Sequence, residues 1–275
     1  MDFKNIPIKN VKSFWDSRPC NIKHSRSKFG SKKYFDEVEA RKYFVEPNIP
    51  DFADFNKWNG KKVLEIGCGI GTDTINFARA GARVTAVELS EKSLDISRKR
   101  AKIFRLDKRI KFYLANVEEL SKVVPVNKYD LIYSFGVIHH TPHPEKAIKE
   151  LKKYMSKNTV LKIMVYNKYS WKILWIIFKY GKGAFWNVNK LIPKYSEAAI
   201  GSPVTYVYSK EECKKLLKDF RIKEIKVDHI FPYIIKDYIN YKYRKEWYFR
   251  YLPKPILREL EKKFGWHLMV TATLR

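Results

Sequence analysis

Cysteine is scarce: Cys20, Cys68 and Cys213 are far apart and odd in number. No two of them have the CxxC spacing of a zinc ribbon, and three scattered thiols do not build a disulfide framework. The expected compartment is reducing and cytoplasmic. Long apolar runs are also missing. No stretch approaches the ~20 residues that cross a bilayer, so no transmembrane segment is expected. The opening MDFKNIPIKNVKSFWD has neither the continuous apolar segment nor the small-residue cleavage site of a signal peptide. There is no long low-complexity tract and no internal repeat. Acidic residues are few, 29 against 56 Lys and Arg, which leaves a net charge of +27. Such an excess can attract nucleic acid or an anionic membrane surface. Here the positive charges are scattered rather than blocked, the pattern of a solvated basic surface. What the chain does have is apolar mass. Of 275 residues 45% are hydrophobic and 15% aromatic, enough for one domain with insertions or one domain plus a small cap.

Residues 1–60 are aromatic, mixed in charge and interrupted by Pro19, Pro47 and Pro50. They read as an N-terminal extension that folds over a ligand as a lid, in which Trp15, Tyr34 and Phe35 either pack or touch the ligand. Beyond them apolar runs alternate with amphipathic stretches. Strands are expected at Lys62–Ile66, Arg83–Glu88, Ile110–Ala115, Leu131–Ser134 and Val160–Tyr166, with helices at Asp73–Ala80, Glu91–Phe104 and Glu145–Met155 between them. Gly81 suits a left-handed helix end, Ser90 a helix N-cap, and Ser209 with Glu212 a capping box. Strands at Ile222–Phe231 and Trp266–Leu274 close the pattern. This alternation argues for βαβ units around a parallel sheet. Two segments interrupt it, 167–202, with the Trp-rich run SWKILWIIFKYGKGAFW, and 233–264, dense in Tyr, Lys and Arg. Both are expected to decorate the sheet.

The strongest local signal is VLEIGCGIGTD, residues 63–73. A buried-type strand runs into Gly67-x-Gly69-x-Gly71 and then a helix. Glycines there permit a tight turn and close approach of a ligand to the backbone. Glu88, at the tip of the next strand, can accept hydrogen bonds from both hydroxyls of a ribose. The spacing is not the dinucleotide GxGxxG, which would need glycine where Thr72 stands. Glu65, just before the glycines, would repel a pyrophosphate and suits a ligand with an ammonium group and a sulfonium.

Residues 65–71 resemble motif I of the class I S-adenosylmethionine-dependent methyltransferases, and YDLIYSFGVIHHTPHPEKAIKEL, residues 129–151, is similar to the type 11 members. The resemblance covers roughly residues 60–166 and implies a Rossmann-like α/β fold, a mostly parallel seven-stranded sheet with helices on both faces and helical insertions, over residues 61–275. It implies S-adenosylmethionine as cofactor and S-adenosylhomocysteine as product. By that resemblance Glu65 and the backbone from Gly67 through Cys68 and Gly69 to Gly71, with Thr72, hold the methionine part, and Glu88 with Leu89 the ribose. Asn116 takes the place of the usual Asp at the adenine edge, Val117 and Glu118 flank the base, and Ser134, Phe135 and Gly136 line the pocket. The flanks FWDSRPCNIKHS, YFDEVEARKYFVEP, SEAAIGSPVTYVYS and GWHLMVTA are similar to one subgroup of these enzymes.

Methyl transfer needs alignment first, and a base only if the acceptor must lose a proton. His139 and His140, with His143 behind them, follow the fourth strand, and the first two are the expected catalytic residues. An imidazole near its reference pKa of about 6.5 suits general-base work. HHxxH also offers three imidazoles to a metal, but no carboxylate or Cys spacing supports it and no metal is expected. Tyr166 ends the fifth strand and can point into the same pocket. Asp228-His229 could orient a base. Ser134-Phe135-Gly136-Val137 stands where planar-amine enzymes carry NPPY, so methylation of adenine or glutamine nitrogen is disfavoured. Pro19-Cys20 is not placed like the nucleophile of 5-methylcytosine enzymes.

The expected acceptor is a small molecule, a lipid-linked intermediate or a glycan, methylated on oxygen or carbon, with peripheral membrane contact open to the Trp-rich segment. The alternative is RNA, supported by the charge and by YINYKYRKEWYFRYLPK, where aromatic faces alternate with cations. A third reading is an S-adenosylmethionine-binding protein without turnover.

Overall fold

The computed structural model describes residues 3–183, 186, 188–196 and 201–275. Its strands are β1 Lys62–Ile66, β2 Arg83–Glu88, β3 Ile110–Leu114, β4 Leu131–Phe135, β5 Val160–Tyr166, β6 Phe220–Asp228 and β7 His267–Leu274. They form one sheet in the order β3-β2-β1-β4-β5-β7-β6. The first five are parallel to one another, and β7 lies antiparallel between β5 and β6. The central strands are buried on both faces, as parallel sheets covered by crossover helices are.

Alternate side chains of β1 feed two cores. Val63 packs with Ile75, Phe77 and Leu94, from α4 (Thr72–Arg79) and α5 (Glu91–Ile103), on one face. Leu64 and Ile66 pack on the other with Ile148 and Leu151 of α6 (Pro144–Lys153) and Cys213 of α9 (Lys210–Leu216). The boundary chemistry holds. Ser90 caps α5 by accepting from Ser93 N, Ser209 and Glu212 close a capping box, and Gly81 follows α4 at φ +96°. Element ends fall within a residue or two of expectation, except in β6. That strand starts two residues earlier and leaves the sheet at His229, whose φ of +70° turns the chain out of the ladder.

The N-terminal segment is helical: α1 Ile8–Ser17, α2 Lys32–Val45 and α3 Asn48–Ala53. It has no separate core. Tyr34, Phe35 and Val38 pack against Ile70 and Ile96. Charge locks it down as well. The buried Arg100 guanidinium donates to Glu39 Oε2 (3.0 Å), Thr72 Oγ1 (2.6 Å) and Phe35 O (3.3 Å), and Lys42 Nζ meets Asp73 Oδ1 at 2.7 Å. The first insertion carries α7 Trp171–Gly181 and α8 Val188–Tyr195. The second carries α10 Ile235–Ile239, α11 Trp247–Arg250 and α12 Lys254–Phe264. Residues 184, 185 and 187, part of the Trp-rich run, and 197–200, within SEAAIGSPVTYVYS, lie outside the described residues. Among the described residues no helix is long and apolar enough to cross a membrane.

Candidate active site

A cavity of about 500 Å³ opens above the C-terminal ends of β1, β2, β4 and β5, where ligands sit in open α/β sheets. One end is built by the glycine turn. Gly67 N and Cys68 N donate to Val87 O at 2.7 and 3.0 Å, which bends the chain away from β1. The glycines do different work. At Gly67 (φ +72°) a Cβ would lie 2.2 Å from Val137 Cγ2, so the absent side chain lets the loop after β4 close in. At Gly69 nothing lies within 4 Å, so its bare backbone leaves space for a ligand.

Glu88 ends β2 beside this turn. Its Oε2 accepts from Gly69 N, and its Oε1 from Leu89 N and Ser90 N, each at 2.8 Å. Burial pushes the carboxyl above its ordinary range, against the pull of these three N–H groups. The acid thus holds the turn and still lines the cavity. Asn116 lines the cavity too, with its Oδ1 turned back to accept from Glu118 N at 3.0 Å. Gly67, Cys68, Gly69, Thr72, Leu89, Val117, Phe135 and Gly136 also line it.

Four expected residues stand elsewhere. Glu65 is fully buried off the cavity. Thr74 Oγ1 donates to its carboxyl at 2.5 Å, and burial, reinforced by Asp73, pushes that carboxyl up to about 8. The acid stands behind the turn, off the cavity wall. Glu118 accepts from Thr141 Oγ1 and His143 N, and so braces the loop after β4. Gly71 packs on Ser97, and Ser134 is buried within β4.

The other end of the cavity comes from distant segments: Trp15 of α1, Tyr166 of β5, Trp171 and Trp175 of α7, and Trp266. Tyr166 stacks on Trp266 with ring centres 4.1 Å apart. The outward Trp residues of the first insertion therefore shape the pocket, while Ile173 and Ile177 of the same helix pack into the sheet's apolar cluster. Tyr34 and Phe35 only pack. Cys20 lines the cavity as well, a placement nothing in the local sequence signalled.

The paired histidines separate. His140 lines the cavity, and its Nδ1 lies 2.7 Å from Val204 O, which fixes that nitrogen as the N–H donor and leaves the lone pair on Nε2. His139 does not line it. Both His139 ring nitrogens are buried without a hydrogen-bond partner, and burial holds the ring neutral, far below its ordinary pKa. Packed 3.8 Å from the Tyr166 ring, it supports the pocket wall instead. Asp228 does not orient the His229 ring: its carboxylate takes both Arg258 guanidinium nitrogens and the His229 backbone N–H. The HHxxH residues form no metal-binding set among the described residues. Glu46, His229 and His267 do converge, with one ligand atom from each lying within 4.8 Å of the others.

A family model described as a methyltransferase domain matches residues 57–200, just over half of the chain. The chain belongs to this methyltransferase family. Ubiquinone biosynthesis O-methyltransferases resemble it. The one from Aromatoleum aromaticum is 33% identical over 105 residues, 38% of this chain and 44% of the relative. The one from Glaesserella parasuis is 31% identical over 138 residues, 49% and 56%. The chain thus spans about half the length of the curated relatives it matches. The fold matches solved structures at low identity. Magnesium protoporphyrin IX methyltransferase from Synechocystis with bound S-adenosylhomocysteine is 15% identical at a TM-score of 0.59, covering 98% of this chain and all of that one. Geranyl diphosphate C-methyltransferase from Streptomyces coelicolor is also 15% identical at 0.59, covering 100% and 99%. The family and the seven-stranded fold expected from residues 60–166 are borne out, and the expected cofactor goes with the family.

Proposed function

We propose that the chain transfers a methyl group from S-adenosylmethionine to a small molecule, or to the reacting end of a lipid-linked intermediate or glycan, on oxygen or carbon. The observation that carries this is one cavity with a glycine turn and the Glu88 carboxyl at one end and a wall of aromatic rings at the other. Bound S-adenosylmethionine supplies a methyl group on a sulfonium, already activated toward an in-line nucleophile.

The chain's own residues do the rest. Glu88 accepts the ribose hydroxyls, Val117 packs on the adenine, Asn116 faces the base edge, and Gly69 admits the methionine part against bare backbone. Trp15, Tyr166, Trp171 and Trp266 fix the acceptor's faces and exclude water. Holding two reactants in line is worth about 7–11 kcal/mol of barrier, so alignment carries most of the catalysis. Where the acceptor must lose a proton, His140 Nε2 is the group to receive it. α1 and the two insertions act as the lid. The O-methyltransferase relatives support oxygen as the acceptor atom.

The test is methyl transfer from labelled S-adenosylmethionine into a fractionated extract of the source cells, with and without nuclease. Label in a nuclease-resistant, low-molecular-weight, lipid or glycan fraction is the expected result. Label released by nuclease would replace this reading with RNA methylation and assign the +27 charge a role in phosphate binding.

A further inference from the structure

Glu46, His229 and His267 come from three elements whose ends meet on the cavity wall. Glu46 follows the last turn of α2. His229 is the residue on which the chain leaves β6. His267 opens β7, in register with Tyr166 of β5 on one side and Asp228 of β6 on the other. All three line the cavity. The two imidazoles lie nearly parallel with ring centres 4.5 Å apart, and His267 Nε2 lies 3.4 Å from Glu46 Oε1. Charge-assisted hydrogen bonds of this kind run about 2.7–2.9 Å, so carboxylate and imidazole face each other at more than bonding distance. His229 reaches this position only by holding a left-handed backbone, φ +70°, a conformation that costs a non-glycine residue free energy and collects at functional sites.

A second observation points the same way. Asn48, 6% exposed, places its side-chain amide 3.1 Å from His267 Nδ1, and its Oδ1 has no hydrogen-bond partner. As placed, the amide nitrogen donates to Nδ1 and reaches Met269 Sδ at 3.4 Å; with the amide flipped, Oδ1 accepts from His267 Nδ1–H instead. The outer nitrogen of a metal-bound histidine is commonly held in this way. Nε2 is then the lone-pair nitrogen, aimed at Glu46.

We propose that Glu46, His229 and His267 bind one divalent transition ion of the zinc type on the acceptor side of the cavity, with a coordination position open to an acceptor oxygen. Two imidazoles and one carboxylate suit such ions rather than Mg²⁺ or Ca²⁺, which take oxygen sets. Ligand distances of about 2.0–2.2 Å keep any two donors within roughly 4.4 Å, so binding draws the set slightly closer, chiefly by rotation of the Glu46 side chain, which is 25% exposed. The ion would lower the pKa of a coordinated acceptor hydroxyl, whose proton passes to solvent, and present the oxygen to the methyl carbon as its bond to the sulfonium sulfur breaks. That role rests on the acceptor cavity proposed above, whereas metal binding itself does not.

The test uses untagged protein stripped with chelator and titrated with Co²⁺, followed by its visible absorption and by competition with Zn²⁺. One Co²⁺ per chain, displaced by Zn²⁺, is expected. His229→Ala and Glu46→Gln should each weaken it by more than the 10–100-fold that loss of an outer-shell partner costs. S-adenosylhomocysteine affinity of each variant, measured in parallel and expected to stay within threefold of wild type, reports that the fold and the cofactor end are intact. Absence of Co²⁺ binding in the wild type, or Co²⁺ binding unchanged in the two variants, would overturn the site.

Discussion

Glu65→Gln distinguishes an acid that holds the ligand from one that sits behind the turn. In the structure the carboxyl is fully buried, accepts the Thr74 hydroxyl and is pushed up to about 8, by burial first and by Asp73 next. In the unfolded chain a glutamate titrates near 4.3. Between those values the native protein keeps a proton that the unfolded chain has released. Stability therefore falls as pH rises through this window, by at most ~1.4 kcal/mol per pH unit, and levels off above about 8. Glutamine has nearly the same shape, keeps a carbonyl for Thr74 and never ionises. The variant should match wild type near pH 5 and gain on it steadily up to pH 8, by a few kcal/mol at the plateau. Urea unfolding of both proteins at one-unit steps from pH 5 to 9 reads the difference, in which all other titrating groups cancel. S-adenosylhomocysteine affinity, measured by calorimetry on the same samples, should stay within threefold. A stability gap that ignores pH or shrinks as pH rises would refute the buried, neutral acid. A tenfold or greater loss of affinity would return the carboxylate to the ligand's ammonium.

Glu88→Gln keeps one oxygen for Leu89 N and Ser90 N but turns an NH₂ group toward Gly69 N. A stranded donor beside a lost charged acceptor costs about 1.5–3 kcal/mol, so S-adenosylhomocysteine affinity should fall tenfold or more by calorimetry. Unchanged affinity would remove Glu88 from the ribose. With the labelled acceptor fraction as substrate, His140→Ala should lower kcat by about 10²–10⁴ with KM nearly unchanged, whereas His139→Ala should lower the unfolding temperature more than kcat. Equal and small kcat losses in both would leave alignment as the sole catalytic device.

Much of this was legible locally. The apolar runs named β1, β2 and β5 to the residue, and Ser90, Gly81 and the Ser209–Glu212 box marked helix ends, because each signal depends on neighbours within four residues. The placement of Glu88 at the end of β2 and of the Gly67–Gly69 turn after β1 was legible for the same reason. Glu65 lies off the cavity, which was not legible, because strand alternation says that an acid faces one side of the sheet but not whether that side is cavity or core. His139 and His140 carry the same side chain on consecutive residues. Groups some 62–65 residues away, the Val204 carbonyl with the Ser202 and Thr205 hydroxyls, hold the one that opens on the cavity.

The division between cofactor and acceptor has the same origin. The cofactor end draws on a few short loops at strand ends, each with a spacing that backbone geometry enforces. The acceptor end draws on α1, the end of α2, the first insertion and the residues around β7, which meet only after the sheet has formed. Trp15, Trp175, His229 and His267 share no periodicity, and aromatic residues in such segments read equally well as packing. The two ends are joined mechanically nonetheless. Lys42 lines the cavity while its ammonium is fixed on Asp73 of α4, and Arg100 of α5 grips Glu39 of α2. Each tie has one buried partner, Asp73 or Arg100, and one partly buried partner, so its cost on breaking falls below the about 3–5 kcal/mol of a fully buried pair. The helix α2, whose end contributes to the aromatic side of the cavity, is thus anchored to α4 and α5, which follow the glycine turn and β2.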